Sequence, residues 1–356
     1  MKSFSFVRDV VLACGVLQSL VHGATVAPQV DLPISASTPD VESDISAVYY
    51  SSRPLLLITI AMPDSVLRVF DSEGNAESGN QYFYMFGKKQ AVQYLIRQKE
   101  KKFEVVEIQT FDLPVEASAC AVSLKAGLVY FSGDDSKDVY AFKTAESTTA
   151  PTYVLTSSCN YILSTTLVRQ FIAGSGGQVE GCVTDEENGF LFVGEEPEGL
   201  WRYDAEPDLA APKGVMVASV ATYPNHKPGD LYSDVEGVTL VPGKTATEGF
   251  LMVSCQGVSA YNVYERAPPH AFVQTFTITD STDGSVDHVT NTDGIAVVGN
   301  RLNAAFPAGL VVVHDDANEL KGGGTSEEAS FKLVSLADVL KGKLLDKVDK
   351  EWDPRA

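Results

Sequence analysis

The sequence predicts an all-β chain folded as one six-bladed β-propeller. Three observations carry that prediction: strand-length apolar runs recur along the chain, helical periodicity is confined to Leu336 to Val348, and an acid-then-glycine element repeats at constant phase. Six times an apolar run leads through a short polar turn into a second alternating run. These pairs are Leu55 to Phe70, Ala91 to Ile108, Gly127 to Phe142, Gly189 to Tyr203, Gly249 to Tyr264, and Gly309 into Phe331 to Val334. Their starts lie 36, 36, 62, 60 and 60 residues apart. Runs such as GLVYFSG, GFLFVGEE and GFLMVSCQG carry aromatic and β-branched residues at strand length, with glycine and acids at the turns. Many short strands recurring at tens of residues fit a propeller, and a pair of β-sandwiches would leave the recurrence without a cause.

The 356 residues carry 27 Lys and Arg against 47 Asp and Glu, a formal net charge of −20, with mean hydropathy +0.00. Such an excess of acid argues against unassisted binding to nucleic acid or to an anionic membrane, because phosphate recognition draws on clustered cations. Any polyanionic ligand would need bridging cations.

At the start of the chain, Lys2 and Arg8 precede the apolar run from Val10 to Leu17, and Gly23 and Ala24 follow. This layout predicts a secretory signal over residues 1–24, leaving a propeller domain over 25–356 and a secreted product. No later apolar stretch approaches the roughly 20 residues that span a bilayer. Four cysteines then remain, Cys120, Cys159, Cys182 and Cys255, enough for up to two disulfides in an oxidising compartment. The sequence leaves their pairing open, and the protein is expected to act as a monomer.

A second repeated element precedes three of the hairpins: QVEGCV at 178–183, DVEGVT at 234–239 and NTDGIA at 291–296. Glu180, Glu236 and Asp293 are spaced 56 and 57 residues apart, which puts them at equivalent places in successive blades. Equivalent positions near the inner strands of a propeller converge on its central channel. Two unit charges at 4 Å repel by about 4 kcal/mol at an effective dielectric near 20, so converging carboxylates must protonate, spread or hold cations. Oxygen donors without His or Cys select calcium over zinc. Glu195, Glu196, Asp234 and Asp287 lie close by in sequence.

The segment GGQVEGCVTDEENGFLFVGEEPEGLWRYDAEPD, with SDVEGVTLV, EGFLMVSCQGVSAYNVYER, NTDGIAVV and FPAGLVVVHDDAN, resembles the β-propeller phytases. The resemblance is specific from about Gly176 to Val334 and thin between about Val41 and Gly174. It implies a six-bladed propeller that removes phosphate from inositol hexakisphosphate with calcium as cofactor. By that resemblance the calcium ligands are Asp44, Glu180, Glu196, Asp234, Glu236, Asp287, Asp293, Asp315 and Asn318, with Glu196, Glu236 and Asp293 catalytic and Arg97 gripping a substrate phosphate. The family's N-terminal acidic motif reads DISAVY here, keeping one acid, Asp44. Its cation after Gly133 reads Asp134-Asp135, and a nearby tyrosine falls on Ser118. Two readings follow: a secreted calcium-dependent phytase acting on calcium-phytate, or a weakened propeller that keeps calcium and binds a ligand or partner.

Other phosphatase chemistries find no motif. The His-Gly pair lies at His22-Gly23, and the residues six beyond Cys120 and Cys182 are Ala126 and Asn188, not Arg. His226, His270, His288 and His314 lack metal spacing and read as surface or packed histidines. Trp201 and Tyr203 read as blade packing, Gly174 to Gly177 as a connecting loop rather than an anion nest, and Lys99 to Lys102 as a hairpin turn.

Overall fold

An apolar run of six or seven residues that is buried on both faces has one economical use, as a central strand sandwiched between two neighbouring sheets. The structure is a computed structural model. It describes side chains for residues 89–92 and most of 110–351, and strand backbone alone at 24–26, 43–49, 56–61, 66–71, 81–87, 93–99, 102–109, 144–146 and 161–166. The expected signal over residues 1–24 lies almost wholly outside the described residues.

Strand β1 (Ala24–Val26) is followed by a sheet of β2 (Ser43–Tyr49), β3 (Leu56–Ala61) and β4 (Val66–Asp71), and by another of β5 (Gln81–Gly87), β6 (Gln90–Lys99) and β7 (Lys102–Asp112). The third sheet holds β8 (Ala117–Ser123), β9 (Leu128–Gly133), β10 (Asp138–Glu146) and β11 (Tyr161–Ile172). The fourth holds β12 (Val179–Asp185), β13 (Phe190–Glu195), β14 (Gly199–Asp204) and β15 (Val215–Ser219). In the fifth, β16 (Val235–Pro242), β17 (Gly249–Cys255), β18 (Ala260–Glu265) and β19 (Phe272–Ile278) are joined by β1, which pairs parallel to β19. The last part of the chain adds β20 (Ile295–Val298), β21 (Leu310–Asp315), the ribbon β22 (Asn318–Glu319) and β23 (Thr325–Ser326), and β24 (Ser330–Ser335), with β20, β21 and β24 in one sheet.

All six run pairs read in the sequence are antiparallel neighbours: β3 with β4, β6 with β7, β9 with β10, β13 with β14, β17 with β18, and β21 with β24. Lys99 pairs with Lys102, so that run does form a hairpin turn. Strands β9, β17 and β21 are buried at every residue, which is why they read as continuous apolar runs instead of alternating ones. The expected helix over Leu336 to Val348 shrinks to α1 (Leu336–Val339) and a 3-10 turn at Leu345–Lys347. The helix ends at Leu340, whose backbone is extended, and Gly342, at φ +58°, lies between the two turns.

The core sits between sheets. Phe111, Phe131 and Phe142 join the second sheet to the third; Tyr130, Phe171, Leu191 and Tyr203 join the third to the fourth. Phe192, Leu200, Leu251 and Tyr264 join the fourth to the fifth, and Tyr261, Phe276, Val311 and Leu336 join the fifth to the last. Each such buried side chain contributes about 1.5–3 kcal/mol. The first strands of successive sheets, β8, β12, β16 and β20, pack side by side, and β2 packs against β20 and β21. The chain is therefore an all-β propeller, with four blades identified against the six that the repeats predict.

Among the described residues none of the expected disulfides is formed: Cys120, Cys182 and Cys255 are free thiols, Cys120 packed against the core and the other two within it, while Cys159 lies outside the described residues. Burial pushes Cys120 and Cys255 up to about 12, and raises Cys182 as well.

Candidate functional site: acids on the inner strands

In two of the three repeats the acid sits where the inner strand bulges, and in the third Asp293 lies just before β20. In β12 the register shifts between Val179 and Cys182, around Glu180; in β16 it shifts between Val235 and Val238, around Glu236. The same shift occurs at Asp44 in β2 and at Ser118 in β8. A bulge leaves one residue unpaired and re-aims its side chain, so each inner strand can turn one polar group out of the ladder. The glycine that follows is demanded by the next blade. A Cβ on Gly181 would lie 2.4 Å from the carbonyl oxygen of Glu236, and one on Gly237 would lie 2.8 Å from that of Asp293. The acid-then-glycine repeat is thus a contact between adjacent inner strands, and it lines up Glu180, Glu236 and Asp293 along one row.

Hydrogen bonds fix that row. Ser132 Oγ donates to the Glu180 carbonyl at 2.7 Å, Gly237 N donates to the Asp293 carbonyl at 3.1 Å, and Ser254 Oγ donates to the same carbonyl at 2.5 Å. Glu196 belongs to the row through its backbone: its N–H donates to Gln178 O at 2.9 Å and its carbonyl accepts from Val235 N at 3.1 Å. Gln178 Nε2 in turn donates to Glu180 Oε1 at 2.6 Å. Asp234 lies just before β16, and burial pushes its carboxyl above the usual carboxylate range.

Two side chains at Asp293 were not legible as site residues. Gln256 Nε2 donates to Asp293 Oδ1, and His314 Nδ1 lies 3.0 Å from Oδ2, with the His314 side chain 3% exposed. The signal was repeat phase: Ser132, Gly194, Ser254 and His314 share one position of the second strand, and Glu196 and Gln256 share the place two residues on. The other histidines are structural, as read. His226 stacks on Tyr232, His270 lies 2.8 Å from Arg202 Nη1, and His288 lies 2.9 Å from Asp280.

Neighbouring Glu195 is spent within its own blade. Its buried carboxylate accepts from Ser175 N and Oγ, from Gly177 N at 2.6 Å and from Trp201 Nε1 at 2.7 Å. The loop read as a plain connection is therefore an anion nest after all, and its anion is this protein's own Glu195. Gly174, at φ +53°, leaves room for it, since a Cβ there would lie 1.9 Å from Glu195 Oε2. Tyr203 OH also accepts from Gly174 N at 2.5 Å, so Trp201 and Tyr203 pack the blade and clamp this loop.

Asp287, Asp315 and Asn318 form a separate group at the foot of the last sheet, gathered around Lys332 of β24. The Lys332 ammonium bonds Asp287 Oδ1, lies 3.1 Å from Asp315 Oδ2 and donates to Asn318 Oδ1 at 2.9 Å. Burial opposes ionisation of Asp287, but Lys332 and the Glu319 N–H hold its carboxyl below the usual range. Asp315 is wholly buried, and that burial pushes it up against the pull of Lys332 and Thr290. Asp44 and Arg97 are placed only by backbone: Asp44 on β2, which packs against β20 and β21, and Arg97 on β6 opposite Glu104.

The donor set of the inner row is oxygen throughout, which suits calcium. Among the described residues, no three His, Cys, Asp or Glu side chains converge into a ready-made metal group. At the Asp287 group the oxygens do converge, and the point of convergence is the Lys332 nitrogen.

The fold and these positions define an all-β propeller that carries acids at equivalent places beside its inner strands. The phytase family profile matches residues 87–356, and the chain belongs to the phytase family. It is similar to the 3-phytase of Bacillus subtilis, 35% identical over 191 residues, which cover 53% of this chain and 46% of that protein. The match thus spans about half the length of that relative. Among solved structures, the nidogen/laminin complex gives a TM-score of 0.39 at 9% identity over 82% of this chain and 96% of that one. A functionally unknown protein from Desulfotomaculum acetoxidans gives 0.39 at 12% identity over 88% and 93%. Likeness at that level adds nothing to the argument.

Proposed function

We propose that this chain is a secreted, monomeric, calcium-dependent phytase that releases phosphate from the calcium complex of inositol hexakisphosphate, its inner strands closing as a six-bladed ring through β2 against β20. One observation carries the reading. Gln256 and Asp293 form a neutral-to-anionic pair in which the amide satisfies the carboxylate. By repeat phase the equivalent positions one blade earlier are Glu196 and Glu236, two acids where the later blade has an amide and an acid. Two acids at matching positions are a donor set that suits a cation.

Glu180, Glu196, Asp234, Glu236 and Asp293 would hold calcium, with Asp44 completing the row from β2. When bound, calcium supplies the positive charge that draws substrate phosphate to an acidic surface and polarises the phosphoryl group. The chain's own share is positioning: the bulges place Glu180 and Glu236, the close approaches at Gly181 and Gly237 set the spacing of adjacent inner segments, and Gln256 and His314 hold Asp293 in one orientation. Arg97 supplies a bidentate grip on phosphate. The rival reading, a calcium-binding propeller without turnover, is favoured by Ser118, a buried hydroxyl at the bulge where β2, β12 and β16 carry acid.

Two substitutions test the proposal. Glu236→Gln keeps size and deletes one charge; it should cut kcat for calcium-phytate by at least ~10²-fold with melting in chelator unchanged. Arg97→Ala should raise KM. Wild-type rates in Glu236→Gln would remove the acids from the chemistry.

A further inference from the structure

Lys332 is a charged residue inside a strand whose last four residues are buried, and its own exposure is 6%. Burying an ammonium is costly unless each of its protons finds an acceptor. Here three acceptors come from three segments: Asp287 before β20, Asp315 at the end of β21 and Asn318 in β22. The ammonium donates hydrogen bonds to Asp287 and Asn318 and forms an ion pair with Asp315 Oδ2 at 3.1 Å, so three oxygens surround its three donors. The cradle is also braced from behind. Glu319 N donates to Asp287 Oδ2 at 2.5 Å, Thr290 N donates to Asp315 Oδ1 at 2.8 Å, and Ser330 Oγ donates to Asn318 Oδ1 at 2.7 Å. Each of the three side chains around Lys332 is thus held by a group that does not depend on it: Asp287 and Asp315 through their second oxygen, Asn318 through the same oxygen that meets the ammonium.

Carboxylate, carboxylate and amide oxygens converging on one point is also what calcium asks for. We propose that Lys332 is the resident cation of this cradle: it takes the place that the oxygen donors would otherwise offer to calcium, so that Asp287, Asp315 and Asn318 are lysine partners in the native protein and become a calcium site only when the ammonium is removed. The inference rests on the cradle alone and does not depend on the proposed phytase activity.

The test counts calcium ions bound per molecule of the full chain by equilibrium dialysis and reads thermal melting with calcium or chelator. Asp315→Asn and Asp287→Asn should bind the same number of ions as the wild type. Lys332→Met, which keeps length and loses charge, should bind one more, should melt below the wild type in chelator, and should recover most of that deficit in millimolar calcium. Lys332→Met/Asp315→Asn should lose the added ion. The proposal is overturned if Asp315→Asn or Asp287→Asn loses an ion that the wild type binds, or if Lys332→Met folds and gains none. Should Lys332→Met fail to fold even in calcium, the two Asn substitutions still decide the matter. Phosphate release plays no part in the readout, so an inactive enzyme and a failed cradle give different results.

Discussion

Glu195 and Glu196 are adjacent in sequence and differ in role: Glu195 is the last residue of β13, and Glu196 begins the turn that follows it. Glu195 closes the loop at Ser175 and Gly177, receiving four donors. Glu195→Gln would set an NH2 group against those donors, and the expected cost is about 1–3 kcal/mol, read as a lower denaturation midpoint with the slope unchanged. The thiols give a second expectation at this scale. Since burial raises the pKa of Cys120, Cys182 and Cys255, they remain neutral at pH 8, and the neutral thiol is a poor nucleophile. All three should resist Ellman's reagent in the folded protein and react on denaturation without reductant; no reaction after denaturation would show that they are bridged. At the level of single residues the sequence was least legible. An acid before glycine could be read as a repeat, but whether Glu195 or Glu196 closes the loop depended on where β13 ends, and the roles of His314, Gln256 and Lys332 depended on which segments folding brings to them.

The hairpins were legible as elements because their central strands are buried on both faces and so spell unbroken apolar runs. The inner strands were legible only through their acid-then-glycine marks: β12 carries polar and half-buried residues, and β20 is four residues long. What no periodicity can show is a bulge, since it is defined by the partner strand. The glycines are its trace. Gly237→Ala would place a methyl 2.7 Å from Ile295 N and 2.8 Å from the Asp293 carbonyl, both backbone atoms, so the neighbouring inner strand must shift. The expected loss is about 1–3 kcal/mol by chemical denaturation. Gly299→Ala meets no atom closer than 3.5 Å and should be close to neutral. Equal effects of the two substitutions would contradict the close approach of the inner strands.

For the whole molecule, the −20 net charge and the substrate proposed for it share a sign, and that conflict gives calcium its place in the account. A polyanion approaching this surface is repelled until divalent cations stand between the two. Inner carboxylates set in a row by bulges and glycines provide oxygen ligands for such cations, and the family to which the chain belongs acts on phosphate esters of this kind. The central claim is that the row of acids works through calcium on phytate. It is tested most directly by phosphate release from phytate by the folded full-length chain, measured at neutral pH across a calcium titration and again after chelation. The account predicts release that rises with calcium and disappears with chelator; no release at any calcium concentration, or release that chelation leaves unchanged, would contradict it.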